Sequence, residues 1–124
     1  MAGHILLYLA SLLLVFWGIA HLFPTRNVVK DFGDISIDNQ RIITMEWINE
    51  GASLIFIGVI VFGVTYIDSA HVISKTIYFI CFIMLNVLSV LSLLTGFKVN
   101  FLPYKLCPII FTSSSILIFL GSYL

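Results

Sequence analysis

Four long, predominantly apolar stretches dominate the sequence, and each is long enough to cross a membrane as a helix. They lie at about residues 5–23, 39–67, 76–96 and 102–123. A helix needs about 20 predominantly apolar residues to cross a hydrocarbon core of about 30 Å. Membrane-spanning strands would instead show segments of roughly ten residues with alternating polarity. The sequence therefore predicts an all-α fold, an integral membrane four-helix transmembrane bundle that forms a single domain over residues 1–124.

The composition supports a membrane protein and excludes several other classes. Hydrophobic residues make up 60% of the chain and charged residues only 10%, whereas about 25% of a soluble domain is charged. A soluble enzyme is therefore excluded, because it could not cover its surface with polar groups. Six basic residues at zero net charge provide no footprint for phosphates, so we expect no nucleic-acid partner. Membrane lipids are the partners that this composition predicts.

The basic residues of the short loops predict the orientation in the membrane. Five of the six lie in the predicted first and third loops, namely Arg26, Lys30, Arg41, Lys98 and Lys105. The second loop holds only Lys75, and the two tails hold none. Short cytoplasmic loops carry an excess of Lys and Arg. We therefore predict a multi-pass protein with the first and third loops in the cytoplasm, and with both termini and the second loop outside.

Polar residues gather at the start of the second predicted helix and form one candidate site. Four of them stand at i, i+3, i+4 and i+7, which places them on one helix face. His21, at the end of the first helix, is expected at comparable depth, and Trp17 and Trp47 are expected to line the apolar side. The candidate polar site comprises His21, Arg41, Glu46, Asn49, Glu50 and Ser53.

Two interpretations of this site remain open. Ionisable groups within a span are costly and often mark ion paths or substrate contacts. Two neighbouring carboxylates suit acid–base work, a proton relay or a metal site completed by His21, although we assign no metal. Alternatively, the 17 residues from Gly51 to Ile67 already suffice to span the bilayer. Glu46 and Glu50 would then lie among the headgroups, solvated or paired with Arg41 and Lys30.

Other polar side chains are interpreted as structural. Asn86, Ser89 and Ser92 form a stripe on the third helix that is typical of interhelical hydrogen bonding. Tyr104 is expected in an aromatic belt at the membrane interface, and Cys107 is interpreted as a small packing residue.

The layout of the chain carries a family resemblance. The first helix ends in the segment GIAHLFP at residues 18–24, and the second helix begins with an acidic stretch. Together with four helices in a short chain, these features resemble the DoxX-like small membrane proteins. The resemblance implies a four-helix membrane fold in a family that includes quinone-linked oxidoreductase subunits, and it implies no catalytic residues. The small multidrug transporters carry their essential Glu in the first helix, which has no acidic residue here.

The sequence predicts function only in outline. The first expectation is an accessory or interaction subunit, which either self-associates into a homo-oligomer or joins a larger membrane complex. It rests on four short helices that bury little surface among themselves. The alternative is a membrane enzyme or carrier for a lipid- or quinone-like molecule, which uses the region of Glu46, Glu50 and His21 at the cytoplasmic leaflet. Coupled transport ranks last, because the outer halves of the helices offer little beyond Ser and Thr.

Overall fold

The computed structural model describes residues 1–124 and is built from helices alone. The five α-helices are α1 Ala2–Leu22, α2 Thr25–Asp31, α3 Ile37–Asp68, α4 Val72–Leu94 and α5 Leu102–Tyr123. One turn of 3-10 helix at Gly96–Lys98 connects α4 to α5. The prediction of an all-α fold is confirmed, and α1, α3, α4 and α5 are long and apolar enough to cross a membrane.

Local capping explains why the helix ends differ from the apolar stretches. The side chain of Ser36 accepts a hydrogen bond from the backbone N–H of Asn39 at 3.1 Å, so α3 begins at Ile37 instead of residue 39. At α4, His71 Nδ1 accepts from the N–H of Ile73 at 3.2 Å, and the helix begins four residues before residue 76. A cap supplies an acceptor for the free N–H groups of the first turn. Polar residues can therefore extend a helix beyond its apolar run.

The short helix α2 was not predicted from the sequence. It begins directly after Pro24, which follows the end of α1, and its residue Val28 is buried. Helix α2 packs against α3 and covers the end of the bundle at which α1 ends and α3 begins.

Helix α1 occupies the centre of the arrangement. It packs along α3 on one side and along α5 on the other, and α5 in turn packs against α4. Helices α3 and α4 are joined by a short connection and meet beside it, where the hydroxyls of Thr65 and Tyr78 are 2.8 Å apart. Further along they make little contact, and a cleft lies between them. The bundle is therefore open on its α3–α4 side.

Small residues allow α1 and α3 to approach at backbone distance. Ser11 of α1 lies against Gly58 of α3, and Gly18 of α1 lies against Gly51 of α3. Within each helix the two small residues are seven positions apart. Ser11 Oγ donates to the carbonyl of Gly58 at 2.8 Å, and a Cβ on Gly18 would lie only 2.7 Å from the carbonyl oxygen of Gly51. Such small-residue faces are typical of membrane helix pairs, in which close backbone contact replaces the hydrophobic effect. This contact brings the last turn of α1 against α3.

Candidate functional site

The site is organised around His21, in the last turn of α1. Its imidazole stacks on the indole of Trp47 from α3, with ring centroids 3.9 Å apart and planes inclined by 16°. Trp47 Nε1 also donates to the backbone carbonyl of His21 at 2.6 Å. The last carbonyls of a helix have no partner within the helix, so Trp47 satisfies one of them. Two contacts from a single α3 residue therefore fix both the backbone and the ring of His21.

Glu50 approaches the free edge of the same imidazole. Its Oε2 lies 3.4 Å from Nε2 of His21, with 7% of the His21 side chain and 39% of the Glu50 side chain exposed. This distance is that of a close ionisable pair, but the geometry is not that of a hydrogen bond, and Nε2 has no hydrogen-bond partner. Most buried polar atoms are hydrogen-bonded, so each exception calls for an explanation. Nε2 is therefore a buried polar atom whose hydrogen-bonding capacity is unused.

A cavity of about 320 Å³ lies beside this pair, between α3 and the α4–α5 end of the bundle. Its wall carries several polar groups besides His21 and Glu50. The other lining residues are Leu88, Leu91, Ser92, Thr95, Gly96, Tyr104 and Cys107. Hydroxyl, thiol, carboxylate and imidazole groups therefore surround one small volume, which we call the polar chamber.

The polar chamber adjoins a larger opening, which we call the α3/α4 cleft. Its wide part measures about 1060 Å³ and is bordered by α2, α3, α4 and the α4–α5 connection. A second part of about 790 Å³ continues between α3 and α4, where most lining residues are apolar. Glu50 and Tyr104 border both the polar chamber and the wide part, and Asn49 and Ser53 border both parts of the cleft. The three spaces therefore lie next to one another along the open side of the bundle, with His21 at the polar chamber and the most apolar lining in the second part of the cleft.

Most of the candidate residues of the second predicted helix border this space. Glu46, Asn49 and Ser53 are exposed on the α3 wall of the cleft, next to Glu50. Ser53 Oγ donates to the carbonyl of Asn49 at 2.7 Å. Neither Glu46 nor Glu50 forms an ion pair with Arg41 or Lys30. Besides the pair of His21 and Glu50, the chain has one ion pair, which joins Arg41 to Asp38 at 3.8 Å.

Arg41 and Trp17 were expected at the site but lie outside it. Arg41 precedes Glu50 by nine residues, which is about 13 Å along the helix at ~1.5 Å per residue, and it borders neither the polar chamber nor the cleft. Trp17 shares a helical stripe with His21 but packs against the hydrophobic core instead of lining the cleft. Trp17 and His21 differ in their surroundings because α1 lies between α3 and α5, so residues of one stripe of α1 contact different neighbouring helices.

Sequence reasoning missed the contributions of the other helices to the site. The missed residues are Asp31 from α2, Leu88, Ser92 and Thr95 from α4 and its end, and Tyr104 and Cys107 from α5. Ser92 belongs to a polar stripe that was interpreted as packing, and Tyr104 and Cys107 were assigned to an interface belt and to packing. Asp31 had a signal, since it belongs to the acidic stretch before α3.

The chemistry available at the site is that of proton exchange and hydrogen bonding. A histidine and a carboxylate 3.4 Å apart can share or pass a proton with a bound polar group. No three His, Cys, Asp or Glu side chains lie close enough together to hold a metal ion. No protein-family model, curated protein or solved structure matches this chain.

Proposed function

We propose that this protein binds a lipid- or quinone-like amphipathic molecule of the membrane, as a carrier or as an enzyme. The polar head would lie in the polar chamber beside His21 and Glu50, and the apolar chain would follow the α3/α4 cleft. The observation that carries the proposal is the buried, unpartnered Nε2 of His21, a residue that lines the polar chamber next to the largely apolar cleft.

The distribution of polarity supports a ligand with two unlike ends. Small-molecule sites are mostly apolar and carry a few convergent polar groups that fix the orientation of the ligand. Here the polar groups gather at one end, whereas the far part of the cleft is lined by Phe56, Ile60, Ile77 and Ile80 among others. A buried polar atom without a partner is also costly in an apolar environment. A ligand hydroxyl, carbonyl or ammonium group at Nε2 would remove that cost.

We further propose that the polar end of the cleft faces the cytoplasmic leaflet. The ends of α1 and α4 and the beginnings of α3 and α5 share this side of the bundle with five of the six basic residues. The excess of basic residues in cytoplasmic loops supports the assignment. A ligand would then enter sideways from the inner leaflet, through the opening between α3 and α4.

The resemblance to DoxX-like proteins would make a quinone-type head one candidate. His21 and Glu50 would hydrogen-bond to its oxygen atoms, and they would supply or accept the protons when a separate redox partner reduces or oxidises the head. The same pair would equally hold the hydroxyl group of a simple lipid. The proposal therefore covers binding, and it extends to proton exchange at the head.

A second candidate function is the accessory or interaction subunit expected from the sequence. The specific observation in its favour is the same lateral opening, because a helix of a partner or of a second copy could cover it. The polar chamber favours the small ligand, since a partner helix would leave Nε2 of His21 without a polar group. An oligomer or a co-purifying subunit that closes the α3–α4 side would support the second candidate.

The test measures binding of bromine-labelled dodecanol to the full chain in a neutral detergent, followed by quenching of tryptophan fluorescence. Trp47 lines the wide part of the cleft, so a ligand in place should quench it in a saturable manner. Ser53→Phe should abolish the saturable component, because Ser53 borders both parts of the cleft. Val59→Phe is the matched control, since Val59 is an exposed α3 residue that borders neither part.

One result of this binding experiment would contradict the proposed function. Quenching that rises in proportion to the probe, and equally in both variants, would mean partition into the micelle, and the proposed function would be wrong.

A further inference from the structure

The wide part of the α3/α4 cleft is lined by acidic side chains and by no basic one. Its lining includes the carboxylates Asp31, Glu46 and Glu50 and no Lys or Arg side chain. The polar chamber and the far part of the cleft also lack Lys and Arg. This absence is unexpected at the end of the molecule that holds five of the six basic residues.

Two of those basic residues are engaged elsewhere. Arg41 pairs with Asp38 at 3.8 Å. Lys105 Nζ donates to the carbonyl of Phe97 at 2.8 Å and lies 4.8 Å from the centroid of its ring. The three carboxylates of the cleft form no ion pair with any Lys or Arg. A cation that enters the cleft therefore meets carboxylates that are not already paired with Lys or Arg.

Aromatic rings border the same opening. Phe32, Trp47, Phe101 and Tyr104 all line the wide part, and Tyr104 meets Trp47 edge-on with centroids 5.8 Å apart. Aromatic faces attract ammonium groups, and the attraction grows when the pair is shielded from water. Carboxylates and aromatic rings together favour a cationic head over a neutral one.

His21 gives an independent indication of the type of cation. Its side chain is only 7% exposed, its Nε2 is buried without a hydrogen-bond partner, and the residue lines the polar chamber. With the ring proton on Nδ1, Nε2 is a hydrogen-bond acceptor. A primary ammonium group could donate one N–H to Nε2 of His21 and another to the carboxylate of Glu50, whose Oε2 lies 3.4 Å from Nε2.

We propose, building on the proposed function, that the ligand is a single-chain amphiphile with a protonated amine head. The ammonium group would lie between His21 and Glu50, and Asp31 and Glu46 would attract it from the mouth of the cleft. A phospholipid fits less well, because the carboxylates repel its phosphate and no Lys or Arg lines the site to neutralise it. Between Glu50 and Ile60 the cleft follows α3 for about 15 Å at ~1.5 Å per residue, a length that suits one medium alkyl chain.

The test compares dodecylamine with dodecanol, each competing against the bromine-labelled dodecanol in neutral detergent. An alkylamine is protonated at pH 7 as a lysine side chain is, so the two probes differ in charge but share their chain. We expect the amine to bind at least about tenfold more tightly at low salt, with the advantage shrinking as salt rises.

Charge variants locate the origin of this preference. The double variant Asp31→Asn with Glu46→Gln should weaken amine binding about fivefold or more and leave dodecanol binding unchanged. The matched control is the single variant Asp34→Asn, compared with Asp31→Asn or Glu46→Gln alone, because Asp34 is exposed at the same end and does not border the cleft. We expect its amine affinity to stay within about twofold of the parent protein.

The outcomes separate this inference from the proposed function. Equal affinity for amine and alcohol, or an equal loss of amine affinity in Asp31→Asn, Glu46→Gln and Asp34→Asn, would overturn the amine-headed ligand and leave the binding function standing. Failure of dodecanol and dodecylamine alike to bind saturably would overturn both.

Discussion

The close approach of α1 and α3 can be tested at Gly18, one helical turn before His21. A Cβ at this position would lie 2.7 Å from the carbonyl oxygen of Gly51 and 2.7 Å from Cγ1 of Ile55. For the contact with Gly51 to reach the 3.4 Å of ordinary van der Waals contact, the two helices must separate by about 0.7 Å. No side-chain rotation relieves the clash, because the carbonyl belongs to the backbone. Overpacking of this kind costs about 1–3 kcal/mol.

Gly18→Ala is therefore expected to lower the free energy of unfolding by about 1–3 kcal/mol. It should also lengthen the 3.4 Å distance between His21 Nε2 and Glu50 Oε2, and so weaken binding of the amine and alcohol probes. The control is Gly63→Ala on α3, where an added Cβ would meet nothing within 4 Å. That change should be neutral or stabilising by up to about 1 kcal/mol, since alanine is the better helix former.

The assay is reversible unfolding in mixed micelles of a neutral detergent and dodecyl sulfate, followed by tryptophan fluorescence. Trp47 stacks on His21, so its emission reports on the separation of α1 from α3. Equal stability of Gly18→Ala and Gly63→Ala would refute the backbone-distance packing of these helices, and with it the argument that this packing positions His21 against Glu50.

Two further changes test the buried polar groups by the same unfolding assay. Ser114→Ala should raise the free energy of unfolding by about 1 kcal/mol. The reason is that Ser114 Oγ is buried without a hydrogen-bond partner, so its removal ends a desolvation cost. A loss of stability would show that the hydroxyl does have a partner. Tyr78→Phe should lower the free energy of unfolding by about 1 kcal/mol, because the hydroxyl of Tyr78 is hydrogen-bonded to that of Thr65 at 2.8 Å. The control Tyr66→Phe, at an exposed tyrosine, should leave the free energy of unfolding unchanged. Equal effects of the two changes would contradict the role of this hydrogen bond.

The helices were predictable because a membrane span leaves a signal of length and apolarity. The ends of the helices were less predictable, because the side chains of Ser36 and His71 cap helices that begin within polar segments. Helix α2 was missed because seven residues with one buried valine produce no periodic signal. Such ends and short helices depend on single hydrogen bonds and contacts.

The candidate site was predictable only where its residues lie close in sequence. The i, i+3, i+4 and i+7 spacing placed Glu46, Asn49, Glu50 and Ser53 on one face, and the structure shows that face bordering the cleft. Tyr104 and Cys107 of α5 left no such signal, and the polar stripe of α4 that contains Ser92 did not show which space it faces. A helix that is apolar all round has no periodicity that identifies its neighbours, so which residues line a shared space depends on the packing order of the helices.

That packing order follows from where the small residues lie, and it also explains the cleft. Lipid tails are as apolar as leucine, so helices in a bilayer associate where their backbones can approach closely. Helix α1 offers Ser11 and Gly18 to α3, and it offers Gly3 to Gly121 of α5, where a Cβ on Gly3 would lie 2.6 Å from the carbonyl oxygen of Gly121. The facing walls of α3 and α4 instead carry mostly large apolar side chains, such as Phe56, Ile60, Ile77, Ile80 and Met84. These gain little from replacing lipid contacts with contacts to each other. The opening beside His21 and Glu50 is therefore the arrangement that these side chains favour in a membrane, and the ligand that we propose would fill it without separating any pair of closely packed helices.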